Sequence, residues 1–558
     1  MPTRLFRLIL LASLLLSSCA SPALGDVIEP TATTAPVVAT ETPTLPPPTE
    51  TPPMLWVAPA VPDALRATTS TWNIASAETR EAANIIVDVA AGDEQNTSSW
   101  IYSLVAPFPT VTDGVTFDQL QRAWYGDLSE TFNQSPLFMS ESTYGALKSL
   151  FNGEAAAGAV KIMGENLITD ALWAQRPAWG VVPFESLNPK LKVLEVDGQS
   201  PLRKEFDANT YPLKLAFGVS GGDFTLPASN RDPGKLATVV MTGVTALVRA
   251  TAVKMETIGV TYPGQSIRSW LVNADITHIS NEIPFAENCP YPNAGQLRLV
   301  FCSDPKYIEL LEYIGADVIE LTGNHFEDWG KEATRYTVEM YKQRNLPYFG
   351  GGTDLADAQK PAILEVNGMK FAFIGCNPAG PEFAWARADN YPGAAPCGKD
   401  WSGRGKDQHG FEWLVREIQQ LKAQGYIVIA TFQYFEYYSA DPRPWQMEDF
   451  RRLAEAGAVV VSGSQAHYSQ VMEFYGDAFI HYGLGNLFFD QMGYDNPSSG
   501  IRTTNTRREF LDRHVFYDGK YIGTELLTAM LYNFAQPQPM TPEERAAFLA
   551  EYFDASWK

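Results

Sequence analysis

From about residue 235 onwards, short apolar runs alternate with amphipathic segments of helical length. Residues 427–432 and 459–462 are typical of the apolar runs, and residues 411–424 are typical of the amphipathic segments. Apolar runs that alternate with helices across short turns indicate a layered α/β domain with a largely internal sheet. We therefore predict the α/β fold class for this chain.

The charge of the chain excludes one class of partner. The 558 residues include 42 Lys and Arg and 64 Asp and Glu, which gives a formal net charge of −22 at pH 7. A chain this acidic repels nucleic acid unless it carries a local basic patch. The longest basic runs are pairs, such as Arg451 with Arg452 and Arg507 with Arg508. We therefore expect no nucleic-acid partner.

The N-terminus resembles a bacterial lipoprotein signal. Arg4 and Arg7 precede an apolar run at residues 8–16, and two serines follow before Cys19. A basic start, a short apolar run and small residues before a cut site are typical of a secretory signal, and this run is too short to span a bilayer. We predict a signal peptide at residues 1–18 and lipidation of Cys19; the alternative is an ordinary signal peptide with an incidental cysteine. The mature protein would then be extracytoplasmic and membrane-anchored.

A Pro- and Thr-rich segment follows the predicted signal peptide. Residues 30–53 contain eight Pro and eight Thr, and such a composition buries no core and favours extended, polyproline-like conformations. We predict a tether over residues 19–62 that holds the folded part away from the membrane. Beyond it, the spacing predicts a helix over residues 78–91 and a capped helix over residues 116–125.

Four cysteines remain when Cys19 is set aside, namely Cys289, Cys302, Cys376 and Cys397. An even number of cysteines in an exported protein favours disulfides, and three pairings are open. Pairing of neighbours along the chain would close two loops and stabilise each by about 3 kcal/mol in the chain-entropy model. The sequence does not choose among the three pairings. A metal cluster is disfavoured because the C-x-x-C spacing is absent from the sequence.

Residues 63–230 are predicted to form a smaller α/β domain. Three passages resemble the phosphate-binding branch of the type 2 periplasmic substrate-binding superfamily: SLVAPFPTVTDGVTFDQLQRAWYG, AWGVVPFESLNPKLKVLEVDG and YPLKLAF. The alternative is a spacer domain that kept this fold and lost its pocket. A Gly-, Asp- and Pro-rich passage at residues 221–234 marks the boundary with a second domain at residues 231–558.

Polar residues after the predicted strands of the second domain are the candidates for chemistry, because ligands in layered α/β folds collect at the carboxyl ends of strands. Asn, His and carboxylate side chains from separate strand ends are ligands that a divalent metal ion accepts. Such a metal would polarise a phosphoryl or acyl oxygen and lower the pKa of a water molecule. Taken alone, each histidine is more often a hydrogen-bonded structural residue. The candidates are Asp275, Glu282, Asn324, His325, Asp328, His467 and Asn486.

Ordered motifs between residues 235 and 500 resemble the CapA-like family of poly-γ-glutamate capsule synthesis. LTGNHFEDWG is similar to the family's ANNH-x-x-D-x-G motif, and GGTDLADAQKPAILEVNGMKFAFIG is similar to the passage after it. GSQAHYSQVMEFY and FIHYGLGNLFFDQ are similar to its GxHPH and YSLGNFxFDQ motifs. The resemblance implies a calcineurin-like metallophosphatase fold, an α/β/β/α sandwich, and an action on cell-envelope polymers.

The resemblance also implies roles for four residues. Glu282 matches the acidic residue of the family's NLE motif, and His467 matches the second histidine of HPH. Asn324 and His325 match NNH. These four side chains are thereby expected as metal ligands, and Glu282, His325 and His467 are expected to take part in catalysis.

Three expected metal ligands are replaced in this chain. The family's GD at the first strand end is Gly243 followed by Val244, and the first histidine of HPH is Gln465. The usual HWGxEY passage reads FQYFEYY at residues 432–438. Valine cannot bind a metal, and glutamine is a weak ligand through its carbonyl oxygen alone. Too few strong donors then remain for a two-metal centre.

Two hypotheses for function follow. The first is a lipid-anchored, hydrolase-like enzyme that processes a capsule polymer such as poly-γ-glutamate, with one weakly bound divalent metal ion or none. In it, His325 and His467 act as general acid and base and Glu282 assists. The second is a non-catalytic envelope protein that binds a polymer or saccharide, with aromatic residues at 434–438 and Trp445 available for stacking. Other capsule-synthesis proteins are expected partners in either case.

Overall fold

A computed structural model describes residues 52–557 except for residues 93, 95, 130, 399–410, 493–494, 497–500 and 503–505. The predicted signal peptide, Cys19 and most of the predicted tether lie outside the described residues. Pro53–Lys558 form one compact unit, and the domain boundary near residue 230 stays a prediction. In the described part of the chain, no helix has the length and apolar character needed to cross a membrane.

The N-terminal part of the described chain is built on one large mixed sheet. Its helices are α1 (Asp63–Ser70), α2 (Phe117–Trp124), α3 (Glu141–Phe151) and α4 (Ile168–Ala174). Its strands are β1 (Met54–Val57), β2 (Ala75–Ser76), β3 (Ile85–Val89), β4 (Asn96–Pro107), β5 (Gly114–Val115), β6 (Leu137–Met139), β7 (Val160–Ile162), β8 (Trp179–Pro183), β9 (Leu191–Val193), β10 (Glu195–Val196) and β11 (Lys214–Ser220). The sheet has the order β2-β1-β3-β11-β4-β8-β6-β7, and β9 pairs with β4.

Two predictions for this part have opposite outcomes. The capped helix is confirmed as α2, because the Thr116 hydroxyl accepts a hydrogen bond from Gln119 N and the Gln119 side chain accepts one from Thr116 N. The helix over residues 78–91 is wrong: this segment contains β3, whose β-branched residues suit a strand that pairs with β1 and β11. The folded part also begins earlier than predicted, since β1 lies within the predicted tether.

The C-terminal part contains the remaining helices and strands. Its helices are α5 (Arg249–Ile258), α6 (Arg268–Val272), α7 (Ile308–Tyr313), α8 (Lys331–Gln343), α9 (Leu355–Ala358), α10 (Phe411–Ala423), α11 (Pro444–Ala456) and α12 (Pro542–Ser556). Its strands are β12 (Leu236–Met241), β13 (Val244–Thr245), β14 (Ile276–Asn281), β15 (Val318–Glu320), β16 (Tyr348–Phe349), β17 (Gly351–Gly352), β18 (Ala362–Val366), β19 (Met369–Cys376), β20 (Gly393–Ala394), β21 (Ile427–Phe432), β22 (Val460–Gly463), β23 (Met472–Tyr475), β24 (Ala478–His481), β25 (Asn486–Phe488), β26 (Asp495–Asn496), β27 (Ile501–Arg502), β28 (Arg508–Tyr517), β29 (Lys520–Tyr532) and β30 (Gln536–Pro539).

Two packed sheets form the centre of this part. The first sheet has the order β16-β15-β14-β12-β28-β29-β30, with β13 joining β14 to β25, and the second has the order β18-β19-β21-β22-β24-β23. Side chains such as Val239 and Phe516 of the first sheet share an apolar layer with Phe373 and Ile429 of the second. The outer face of the first sheet packs on α5–α8, and that of the second packs on α10 and α11. The predicted α/β class is therefore confirmed.

Both pairs of neighbouring cysteines form disulfides. Cys289 is bonded to Cys302 and Cys376 to Cys397, with a Cα–Cα distance of 5.8 Å in each pair. Of the three pairings that the sequence left open, this is the one that closes the two shortest loops. Each bond is expected to stabilise the fold by about 3 kcal/mol in the chain-entropy model.

Glu509 is a carboxyl group that the fold buries without a partner. Its side chain lies on β28 and is fully buried. Neither of its carboxyl oxygens has a hydrogen-bond partner within the described part of the chain. Burial raises the pKa of Glu509 well above its usual range, so the folded state favours the protonated form.

We expect Glu509→Met to raise the free energy of unfolding by about 2 kcal/mol at neutral pH, because it removes an unpaired buried polar group. The pKa is higher in the folded state, so the wild type loses stability as pH rises above the unfolded value of about 4.3. The advantage of the variant should therefore grow between mildly acidic and neutral pH in urea denaturation. Glu525→Met is the control: Glu525 lies on β29 in ion pairs with Arg203 and Arg513, and its loss should destabilise. A pH-independent gain for the Glu509 variant would contradict this explanation.

Candidate functional site

Parallel pairing brings several loops of the C-terminal part to one edge. In the first sheet, β12, β14, β15 and β16 are parallel, and β13 is parallel to both β14 and β25. In the second sheet, β19, β21, β22 and β24 are parallel. The carboxyl ends of parallel strands meet at the same edge, so the segments that follow β14, β15, β21 and β22 can form one site.

Gln433 connects two of the predicted residues. It follows β21, and its Nε2 donates to Asn324 Oδ1 at 3.2 Å and approaches Glu282 Oε1 at 3.5 Å. Ser464 Oγ, after β22, lies 3.1 Å from Gln433 Oε1 and 2.8 Å from Glu320 Oε1. Loops from both sheets therefore share one hydrogen-bond network around Glu282.

His467 forms the wall of the site opposite Glu282. Its Nδ1 donates to Asn486 Oδ1 at 2.8 Å, which leaves Nε2 as the nitrogen that can accept a proton. Nε2 lies 4.0 Å from Glu282 Oε1, and both side chains are buried. The ring stacks on Phe489 with a centroid distance of 5.0 Å, so its orientation is fixed by packing and by one hydrogen bond.

His325 lies at the more open side of the site, with 21% of its side chain exposed. Its Nδ1 donates to Asp328 Oδ2 at 2.7 Å, and the backbone N–H of Phe301 donates to the same oxygen at 2.9 Å. Burial disfavours charge on the imidazole, but the carboxylates of Asp328, Glu282 and Glu436 outweigh it and raise the pKa of His325. This histidine therefore keeps its proton to a higher pH than a free one.

The aromatic residues after β21 divide into two groups. Tyr434 and Phe435 are buried, and Tyr434 donates to Asp449 Oδ2 at 2.8 Å and packs on Phe450. Their expected role in stacking is therefore wrong, because they belong to the core between β21 and α11. Tyr437 and Tyr438 are half-buried. Tyr438 donates to Glu436 and accepts from Gln491 Nε2, which places it at the rim.

Six of the seven candidate residues take part in this site, and Asp275 does not. Asp275 precedes β14, so it lies at the amino end of that strand. There it accepts hydrogen bonds from Thr238 N and Oγ1 at 2.9 Å and pairs with Lys204. The local sequence ADITHISNEIPF places two acidic residues beside one strand, and only the structure shows which one follows it.

Glu320 is a residue of the network that the sequence analysis missed. It is fully buried on β15, where His278 Nε2, Thr322 Oγ1 and Ser464 Oγ lie within hydrogen-bond distance of its carboxylate. Burial favours its neutral form, but these partners outweigh burial and lower the pKa of Glu320. The signal was a carboxylate inside the apolar run ADVIELTG, since buried strands seldom carry an acid without a partner.

The side chains do not fit the divalent metal that a metallophosphatase-type site would hold. Among the described residues, no three His, Cys, Asp or Glu side chains are grouped so that they could bind a metal ion. Gln433 directs an N–H donor towards the oxygens of Glu282 and Asn324, and a donor repels a cation. Val244, buried between β14 and β25, stands where the resemblance places a carboxylate.

Comparisons with known proteins agree with the sequence motifs. Residues 238–491, less than half of the chain, match the family described as "Bacterial capsule synthesis protein PGA_cap". The chain is 24% identical over 337 residues to the capsule biosynthesis protein CapA of Bacillus anthracis. This alignment covers 59% of this chain and 75% of that protein. It is 27% identical over 185 residues to the PGA biosynthesis protein CapA of Bacillus subtilis (strain 168), covering 33% of this chain and 45% of that protein. The chain thus spans less than half of the second relative.

Similarity to solved structures is weaker. A hypothetical protein from Thermus thermophilus aligns with 52% of this chain and 98% of its own, with 15% identity and a TM-score of 0.33. An ABC-type phosphate transport receptor from Vibrio cholerae aligns with 33% of this chain and 88% of its own, with 13% identity and a TM-score of 0.25. These low scores carry no conclusion about fold or function. Through residues 238–491, this chain is similar to proteins of CapA-like capsule synthesis.

Proposed function

We propose that this protein is a lipid-anchored, extracytoplasmic CapA-like protein that processes a capsule or exopolymer of the poly-γ-glutamate type. The C-terminal part would be a degenerate metallophosphatase-type sandwich, and the N-terminal part a periplasmic-binding-protein-like domain. The relatives whose names refer to capsule or PGA biosynthesis support this choice of polymer. Two disulfides support an oxidising compartment outside the cytoplasm.

One observation carries the proposed chemistry: two histidines with different hydrogen-bond partners lie near the same carboxylate. The Nδ1–H of His467 donates to Asn486 Oδ1, so Nε2 of the same ring is suited to accept a proton beside Glu282. His325 has a raised pKa, so it is suited to donate one. By these positions, His467 is suited to act as general base and His325 as general acid. The reaction class that fits is hydrolysis of a polymer bond by a water that His467 activates.

A second candidate function is binding without turnover. Gln433 favours it, because its carboxamide already satisfies Glu282 and Asn324 with a fixed donor. The half-buried rings of Tyr437 and Tyr438 would then stack on a saccharide or peptide segment. Other capsule-synthesis proteins would supply the chemistry.

The two functions are separated by incubating the full-length protein with labelled poly-γ-glutamate or a neutral exopolysaccharide. Polymer length is measured by gel filtration with and without a chelator. We expect shortening of poly-γ-glutamate that the chelator leaves unchanged and that His325→Ala and His467→Ala abolish. Retention of either polymer on a column of immobilised protein, without any shortening, would establish the binding function. Shortening that stops with the chelator would overturn the metal-independent chemistry.

A further inference from the structure

Arg249 contacts two phenylalanine rings, each of which packs against one of the two histidines of the site. Its Cζ lies 5.3 Å from the ring centroid of Phe301 and 4.9 Å from that of Phe489. Phe301 in turn meets the ring of His325 edge-on at 5.0 Å, and Phe489 stacks on His467 at 5.0 Å. Two aromatic rings therefore separate one guanidinium from the two imidazoles of the site.

The backbone and the charge of Arg249 are both constrained. As the first residue of α5 it has a φ of 46°, a left-handed conformation that is uncommon for a residue other than Gly, Asn or Asp. Its guanidinium pairs with Asp490, which also accepts a hydrogen bond from Ala250 N at 3.0 Å. Only 17% of the side chain is exposed. Strained conformations persist where the surrounding structure over-determines them, often at functional sites.

Neighbouring apolar residues complete this arrangement. Ala246, Val248 and Ile283 are buried in one cluster with Phe301 and Phe489. Ile283 directly follows Glu282, and Phe301 holds Asp328 through its backbone N–H. A change in the position of the guanidinium would therefore reach both sides of the site through packed rings.

We propose that Arg249 is a positioning residue that sets the orientation of His325 through Phe301 and of His467 through Phe489. A planar guanidinium offers a flat surface to both rings while it holds Asp490, whereas a lysine ammonium keeps the charge but not the flat contacts. This inference rests on the proposed function only where it gives the two histidines a role in catalysis. Their orientation can be measured without any polymer.

The test is Arg249→Lys, with the imidazole nitrogens of the full-length protein followed by long-range ¹H–¹⁵N NMR and each histidine assigned by substitution. We expect the signals of His325 and His467 to shift together, while those of His278, His481 and His514 stay in place. Arg268→Lys is the matched control, since Arg268 lies over the ring of Tyr313 at 4.8 Å on α6, and it should move none of these five signals. Unchanged signals of His325 and His467 would overturn the proposal. Arg249 would then serve only to link α5 to Asp490 through its ion pair.

Two further variants keep the test decisive if Arg249→Lys folds poorly. Phe489→Leu should shift His467 strongly and His325 more weakly, because Arg249 transmits the change, and Phe301→Leu should do the reverse. Strictly local shifts in both variants would contradict coupling through Arg249. If the coupling is present but no polymer is shortened, the positioning role stands and the hydrolytic function fails.

Discussion

Glu282→Gln is expected to lower the rate of polymer shortening by about 10²- to 10⁴-fold, because Glu282 assists the proton transfers of His467 and His325 and positioned acid–base catalysis contributes a factor in this range. The carboxylate oxygen lies 4.0 Å from His467 Nε2 and is buried, so water does not replace its charge. Glutamine has the same shape and can still present an oxygen to Gln433. The loss of rate should therefore come from removal of the negative charge of Glu282 and not from a change in packing.

The pH dependence of the remaining activity distinguishes this explanation from a simple loss of structure. The carboxylate of Glu282 contributes to the raised pKa of His325, so its removal should lower that pKa. If His325 donates a proton, the alkaline limb of the rate profile should move to lower pH in Glu282→Gln. Glu436→Gln is the control, because Glu436 also raises the pKa of His325 but is exposed at the rim. It should shift the limb in the same direction and keep most of the rate.

A Glu282→Gln variant with an unchanged rate would exclude Glu282 from the chemistry. Retained binding of the polymer by a wild type that shortens none of it would point to the same conclusion. Only the second result favours the envelope binding protein, in which the buried carboxylate serves the hydrogen-bond network with Gln433 and Asn324.

Much of the C-terminal fold could be predicted because its central strands are buried on both faces. Parallel strands covered by helices read as nearly continuous apolar runs, as at β21 and β22, and their helices keep an amphipathic spacing. The N-terminal part was harder, because residues 78–91 have helical spacing but form β3 between β1 and β11. There the pairing partners, which are distant in sequence, decide the local structure.

The site was predictable in its members and not in its hydrogen bonds. Motif order identified Glu282, Asn324, His325 and His467, and parallel pairing explains why they meet. The sequence shows that glutamine occupies position 433, but the direction of its carboxamide depends on Ser464 and Asn324 from two other loops. The sequence therefore shows that an expected ligand has been replaced. It does not show which side chain forms hydrogen bonds with the oxygens of Glu282 and Asn324.

The largest stability effect is expected where the two sheets of the C-terminal part are joined. His481 on β24 of the second sheet holds Asp512 on β28 of the first, with 2.6 Å between Nδ1 and Oδ2, and its Nε2 donates to Gln470 O at 3.1 Å. Both side chains are buried between the sheets. A polar pair in this position specifies how the sheets are aligned, because no apolar contact requires the same geometry.

Asp512→Ala should lower the free energy of unfolding by about 3 to 5 kcal/mol, since it leaves Nδ1 of the buried His481 without its partner. Asp512→Asn keeps an oxygen acceptor at the same place and should cost less. The matched control is Asp518→Asn, directly after β28, because Asp518 is 61% exposed in its ion pair with Lys235 and asparagine tolerates its positive φ of 50°. This variant should change stability by at most about 1 kcal/mol. Urea denaturation of the three variants checks the order. Equal losses for Asp512→Ala and Asp518→Asn would show that the apolar layer alone, with side chains such as Phe373 and Phe516, holds the two sheets together.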